Sequence, residues 1–196
     1  MATTNLVLVR HGETDWNRER RFQGHADLSL NEAGRRQAEA LADVLAGKRF
    51  AAAYSSPLRR ALETAEIVAA RLDIAVEPID ALTEVDVGSW SGLTTAEVEQ
   101  RFPDGFGLWA ETRAGGWTDG ETYEELGARV VRDLRDLAER HPGESVLAVT
   151  HGGPIRSVLA AAAGLSFTSG RAAIGFVENC EVVRVAVREG EIEAVD

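Results

Sequence analysis

Cysteine is nearly missing from this chain: Cys180 is the only one in 196 residues. No internal disulfide can form, and a zinc site built on paired thiolates is excluded. Cys180 itself reads as a small core hydrophobe. There is no HExxH or other close-spaced pair of metal ligands. No apolar run is long enough to cross a bilayer, and the opening MATTNLVLV lacks the charged region and cleavage pattern of a signal peptide. A cytoplasmic protein with no membrane partner is the expectation. Positive charge is also in short supply, since 21 Lys and Arg against 32 Asp and Glu give a formal net charge of −11. Such a field repels nucleic acid. Any anion handled here must be drawn by a local cluster of cations, so the placement of the arginines matters.

What is present is ordinary for a globular protein, with 44% hydrophobic and 27% charged residues and no repeat or low-complexity segment. One domain over residues 1–196 is expected. The run Leu6-Val7-Leu8-Val9 reads as a strand covered on both faces, and it ends in Arg10-His11-Gly12. Ser145 to Thr150 repeats the pattern and ends in His151-Gly152-Gly153-Pro154, followed by an alanine-rich helix. Short strands are predicted at Ala51 to Tyr54 and Ala75 to Ile79. Capping boxes at Ser29 with Glu32 and at Thr122 with Glu125 start two helices, and Ser56 with Pro57 starts a third. The tail reads as β-rich, with Phe176 to Asn179 and Val182 to Val187 as strands and Ile192 to Val195 as a last arm. This alternation predicts a three-layer α/β/α fold around a mainly parallel sheet, with both His-Gly tips at one edge.

Strand ends of such sheets are where ligands bind. Two imidazoles, the Arg10 and Arg60 guanidiniums and helix-start N–H groups converging there would suit a doubly charged phosphate. A histidine flanked by Arg10 and Arg60 loses basicity and stays a neutral nucleophile. Arg18, Arg20 and Arg21 form either a positive rim or a solvated loop. His25 reads as a loop residue and His141 as part of a helix C-terminus, while Glu121 and Thr122 either reach the pocket or, as a helix cap already explains, serve the helix start. No organic cofactor and no metal are expected, because arginines are the wrong neighbours for a cation.

In order along the chain stand Leu8-Val9-Arg10-His11-Gly12-Glu13-Thr14 with Trp16-Asn17, Phe22-Gln23-Gly24, Leu28-Ser29 with Gly34 and Gln37-Ala38, and Ser55-Ser56-Pro57-Leu58 with Arg60-Ala61 and Thr64-Ala65. After them come Leu82 with Glu84, Gly88, Trp90 and Gly92, and then Val149-Thr150-His151-Gly152-Gly153. The chain thereby resembles the histidine phosphatase superfamily, the phosphoglycerate-mutase-like group. The resemblance implies that His11 takes the phosphoryl group and that Arg10, Arg60 and His151 complete its pocket, with Asn17 and the Gly152 N–H as further contacts. It implies substrate contacts at Gln23 and Gly24, and it makes Glu84, in preference to Asp86, the proton donor to the leaving oxygen. It also favours Arg60 over Arg59.

Cofactor-dependent phosphoglycerate mutases carry a tyrosine, a lysine and an Arg-Arg pair where this chain has Val87, Thr95, Ala110 and Glu111. The resemblance therefore implies a phosphomonoesterase acting on a small-molecule substrate, with the mutase as one alternative and a non-catalytic phosphate binder as another. Residues from about 94 to 120 read as a lid whose Phe102, Phe106, Trp109 and Trp117 either meet the substrate or pack the insertion onto the sheet. Sugar phosphates, nucleotide monophosphates and α-ribazole phosphate stay open as substrates, as does a homodimer.

Overall fold

The computed structural model describes residues 2–195. In chain order the elements are β1 (Thr4–Arg10), α1 (Asp15–Arg18), α2 (Glu32–Leu45), β2 (Ala52–Ser55), α3 (Arg59–Leu72), β3 (Val76–Pro78), α4 (Thr95–Arg101), α5 (Pro103–Thr112), α6 (Tyr123–Arg140), β4 (Ser145–Thr150), α7 (Gly152–Ala162), α8 (Phe167–Ala173), β5 (Val182–Arg188) and β6 (Glu191–Val195). They build one six-stranded sheet in the order β3-β2-β4-β1-β5-β6. The first four strands are parallel, and β5 and β6 run antiparallel at the far edge.

Alternation along β1 divides the core between the two faces of the sheet. Leu6 and Leu8 join Leu126, Val130, Leu134 and Leu137 of α6 on one side, while Val7 and Val9 join Leu41 and Leu45 of α2 and Ala61, Ala65 and Val68 of α3 on the other. The result is the expected three-layer α/β/α arrangement. Register then sets the site: Arg10 of β1 lies opposite Thr150 of β4, so His11 and His151 leave adjacent strands at the same level.

Several local expectations shift. The cap of α2 is Asn31, whose side chain accepts the Gly34 N–H at 2.8 Å, and Glu32 is already the first helical residue. Ser56 does not begin α3, which starts at Arg59 with Leu58 before it. Its hydroxyl lies 2.8 Å from His151 Nε2, so a tertiary partner outcompetes the local cap. Residues 176 to 179 form no strand, because their polar groups serve the site: the Val177 carbonyl accepts from Arg10 and the Asn179 amide donates to the His11 carbonyl. The α8 helix, capped by Ser166, has no apolar periodicity to announce it. The Thr122 and Glu125 capping box and the apolar face of α6 stand as predicted.

The insertion over the sheet consists of α4 and α5 with the turns around them. Phe102 and Phe106 pack against the core, whereas Trp109 and Trp117 also line the cavity at the strand ends. Among the described residues, no helix is long and apolar enough to cross a membrane. Cys180 packs against the second core cluster in the left-handed backbone region at φ +58°, and burial raises its thiol pKa to about 12.

Candidate active site

His11 sits just past β1 and is buried. Its Nδ1 lies 2.7 Å from the Gly12 carbonyl, which can only accept, so Nδ1 carries the proton and Nε2 keeps its lone pair. Burial first, then the charges of Arg60 and Arg10, hold its pKa well below 6.5. The backbone is pinned on both sides. The Gly12 N–H donates to Thr64 Oγ1 at 3.0 Å, and Asn179 Nδ2 donates to the His11 carbonyl at 2.8 Å. Gly12 is required because a Cβ there would strike the carbonyl of Gly34.

His151 lies beside it, with ring centroids 5.1 Å apart. Burial and the same two arginines lower its pKa well below 6.5 as well. Ser56 Oγ already accepts the Leu58 N–H, so its own proton can go to His151 Nε2; the ring proton then rests on Nδ1, a buried atom with no partner.

Arg60 is fully buried on the first turn of α3, where it donates to the Ala26 carbonyl at 2.6 Å and to the Gly24 carbonyl at 2.8 Å. Burial lowers its pKa to about 10. Arg10 donates to the Val177 carbonyl at 2.7 Å and stacks under the Phe176 ring at 4.8 Å. Both arginines leave a buried Nε without a partner, which is the state of donors arranged for an anion. Arg59, by contrast, is exposed beside Asp27.

Glu84 approaches from the loop after β3. Its carboxylate accepts from the Val85 N–H at 2.9 Å and from the Gly153 N–H at 3.2 Å. Its own carbonyl accepts from His25 Nε2 at 2.8 Å and from Arg129 Nη2 at 3.1 Å. Arg129 also donates to the carbonyls of Ala81 and Thr83 and pairs with Glu121. His25 and Glu121 therefore help hold the Glu84 loop, beyond the loop and cap assignments given to them above. Asp86 turns away to accept the Gly88 N–H.

Arg10, His11, Asn17, Gln23, Gly24, Arg60 and Glu84 all line one cavity of about 200 Å3. His151 and Gly152 do not line it; His151 lies beneath, and Gly152 opens α7. Asn17 Oδ1 accepts the Thr14 N–H, which leaves the amide nitrogen as the end able to face a ligand. Of the basic loop, Arg21 reaches the cavity, whereas Arg18 pairs with Asp15 in solvent.

Sequence reasoning missed Arg156, Arg171 and Tyr123, which line the same cavity. Arg156 had a legible signal: it stands four residues after Gly152, on the same face of α7. Arg171 had none, because α8 itself was not foreseen.

A sheet whose strand ends carry two neutral imidazoles, buried guanidiniums and one carboxylate defines a phosphoryl-transfer protein. The chain belongs to the histidine phosphatase superfamily (branch 1), whose family model matches residues 6–196. It is 35% identical over 164 residues to phosphoserine phosphatase 1 of Hydrogenobacter thermophilus, a match covering 83% of this chain and 78% of that one. It is 39% identical over 163 residues to the metal-independent phosphoserine phosphatase of Arabidopsis thaliana, covering 79% and 67%. In three dimensions it is similar to a mycobacterial glucosyl-3-phosphoglycerate phosphatase, with a TM-score of 0.87, 30% identity, and 98% and 96% of the two chains covered.

Proposed function

We propose that the protein hydrolyses a small phosphomonoester through a phosphohistidine at His11, working as one unit over residues 1–196 in the cytoplasm. The observation that carries this reading is the His11 ring, fixed in the Nε2 lone-pair tautomer between two arginines. The His11 Nε2 lone pair attacks phosphorus, and the bond to the ester oxygen breaks. Arg10, Arg60 and the Asn17 amide stabilise the charge on the three equatorial oxygens, with His151 packed beneath beside the His11 ring. Glu84, in its acid form, protonates the departing oxygen. Water then attacks phosphohistidine in line, Glu84 takes its proton, and His11 is freed with inorganic phosphate. Gln23 and Gly24 border the leaving group, and Gly24 also anchors Arg60. The cavity is small against the ~300–1,000 Å3 of sites for drug-sized ligands, which supports a metabolite-sized ester.

The test is a panel of phosphomonoesters assayed with wild type, His11→Ala and Glu84→Gln. His11→Ala abolishes turnover. Glu84→Gln lowers kcat on alkyl phosphates about 100-fold or more and costs much less on 4-nitrophenyl phosphate, whose leaving group needs no proton. Equal losses on both ester classes would remove Glu84 as proton donor. Wild type inactive across the panel while still binding phosphate would make the protein a phosphate binder without turnover.

A further inference from the structure

Arg10 and Arg60 match the charge of one phosphoryl dianion, yet among the described residues the cavity holds three more guanidiniums: Arg21, which is paired with Glu19 and Glu97, and Arg156 and Arg171. Arg156 on α7 is only 6% exposed, and its buried Nε has no hydrogen-bond partner. Its Nη2 and the Nε of Arg10 lie 3.2 and 3.9 Å from the point where a Cβ on Gly152 would stand, so the two side chains flank one spot. Arg171 on α8 donates from Nε to the Tyr123 hydroxyl at 2.9 Å and lies over the Tyr123 ring, which fixes its fork at the cavity wall. Burying an unpaired guanidinium is costly, and such groups are kept where an anion completes them.

Position decides what that anion is. Arg10 and Arg60 are the charges that act on His11, and Arg156 and Arg171 are not among them. Arg156 stands on the helix whose Gly153 N–H donates to the Glu84 carboxylate, with its Nη2 beside Gly152, so it lies on the Glu84 side of the cavity. Burial, first, and the neighbouring cations lower its pKa to about 10. On the proposed mechanism, that is the side of the departing oxygen.

We infer that Arg156, Arg171 and the Tyr123 hydroxyl form a second anion subsite, which selects phosphomonoesters whose leaving group carries its own carboxylate or second phosphate. The inference rests on the phosphatase reading and deepens it by naming the substrate class. Bidentate guanidinium contacts suit either anion. Arg156 and Arg171 are specificity residues here, acting on the part of the substrate that does not react.

The experiment compares esters that differ by one additional anionic group: 3-phosphoglycerate against glycerol 3-phosphate for the carboxylate arm, and fructose 1,6-bisphosphate against fructose 6-phosphate for the phosphate arm. Wild type is expected to favour the member with the additional anion in at least one pair, and the favoured pair identifies the anion. In Arg156→Gln and in Arg171→Gln, the ratio of kcat/KM for the member with the additional anion over the member without it falls about tenfold or more. Arg171 is partly exposed, so Arg171→Gln carries the test if Arg156→Gln fails to fold. Ratios near one in wild type, or unchanged in the folded variants while hydrolysis continues, overturn the subsite and leave the phosphatase standing. Wild type that hydrolyses none of these esters nor 4-nitrophenyl phosphate overturns both readings together.

Discussion

His11 and His151 are folded into the protein as neutral rings, and that choice has a thermodynamic signature. Burial and the adjacent guanidiniums keep both pKa values well below 6.5. Between those values and 6.5 the unfolded chain binds more protons than the native one, so stability is full above about pH 7 and falls as pH drops. The expected slope is up to about 1.4 kcal/mol per pH unit for each ring. Urea unfolding at several pH values between 7.5 and 5.5 should show it, and His11→Asn should remove about half. A flat profile would mean that the rings are not held neutral. The placement of these two rings was visible in the sequence because each follows a strand in a short motif. Arg156 was less visible, since its one signal, a spacing of four residues from Gly152 on the same helix face, gains meaning only when the helix is set against the cavity.

At the scale of elements, the start of α7 does more than end a strand. Its second glycine places an N–H on the Glu84 carboxylate, and a side chain at Gly153 would occupy the space of Glu84 Oε1. Gly153→Ala is therefore predicted to copy Glu84→Gln, with about tenfold lower turnover of alkyl phosphates and a smaller effect on 4-nitrophenyl phosphate. Equal effects on the two would assign Gly153 to packing alone. Elements whose signals are local were legible, such as α6 with its capping box and apolar stripe. Those decided by tertiary partners were not. Ser56 gives its hydroxyl to His151 in preference to a cap, and the segment around Val177 and Asn179 spends its polar groups on Arg10 and His11 instead of a strand ladder.

For the whole molecule, a chain of net charge −11 encloses a cavity lined, among the described residues, by Arg10, Arg21, Arg60, Arg156 and Arg171 against the single carboxylate of Glu84. The mean field repels anions while the cavity attracts them, so selection rests on the cavity. Such a lining repels a metal cation, and phosphohistidine chemistry has no need of one. Phosphohistidine at His11 is tested by a rapid acid-free quench of the chelator-treated enzyme mixed with a radiolabelled phosphomonoester. A transient label is expected on the protein, stable to alkali and lost in acid, mapping to the peptide that contains His11 and missing from His11→Ala. Turnover that persists in His11→Ala, or label that maps to any other residue, would contradict it.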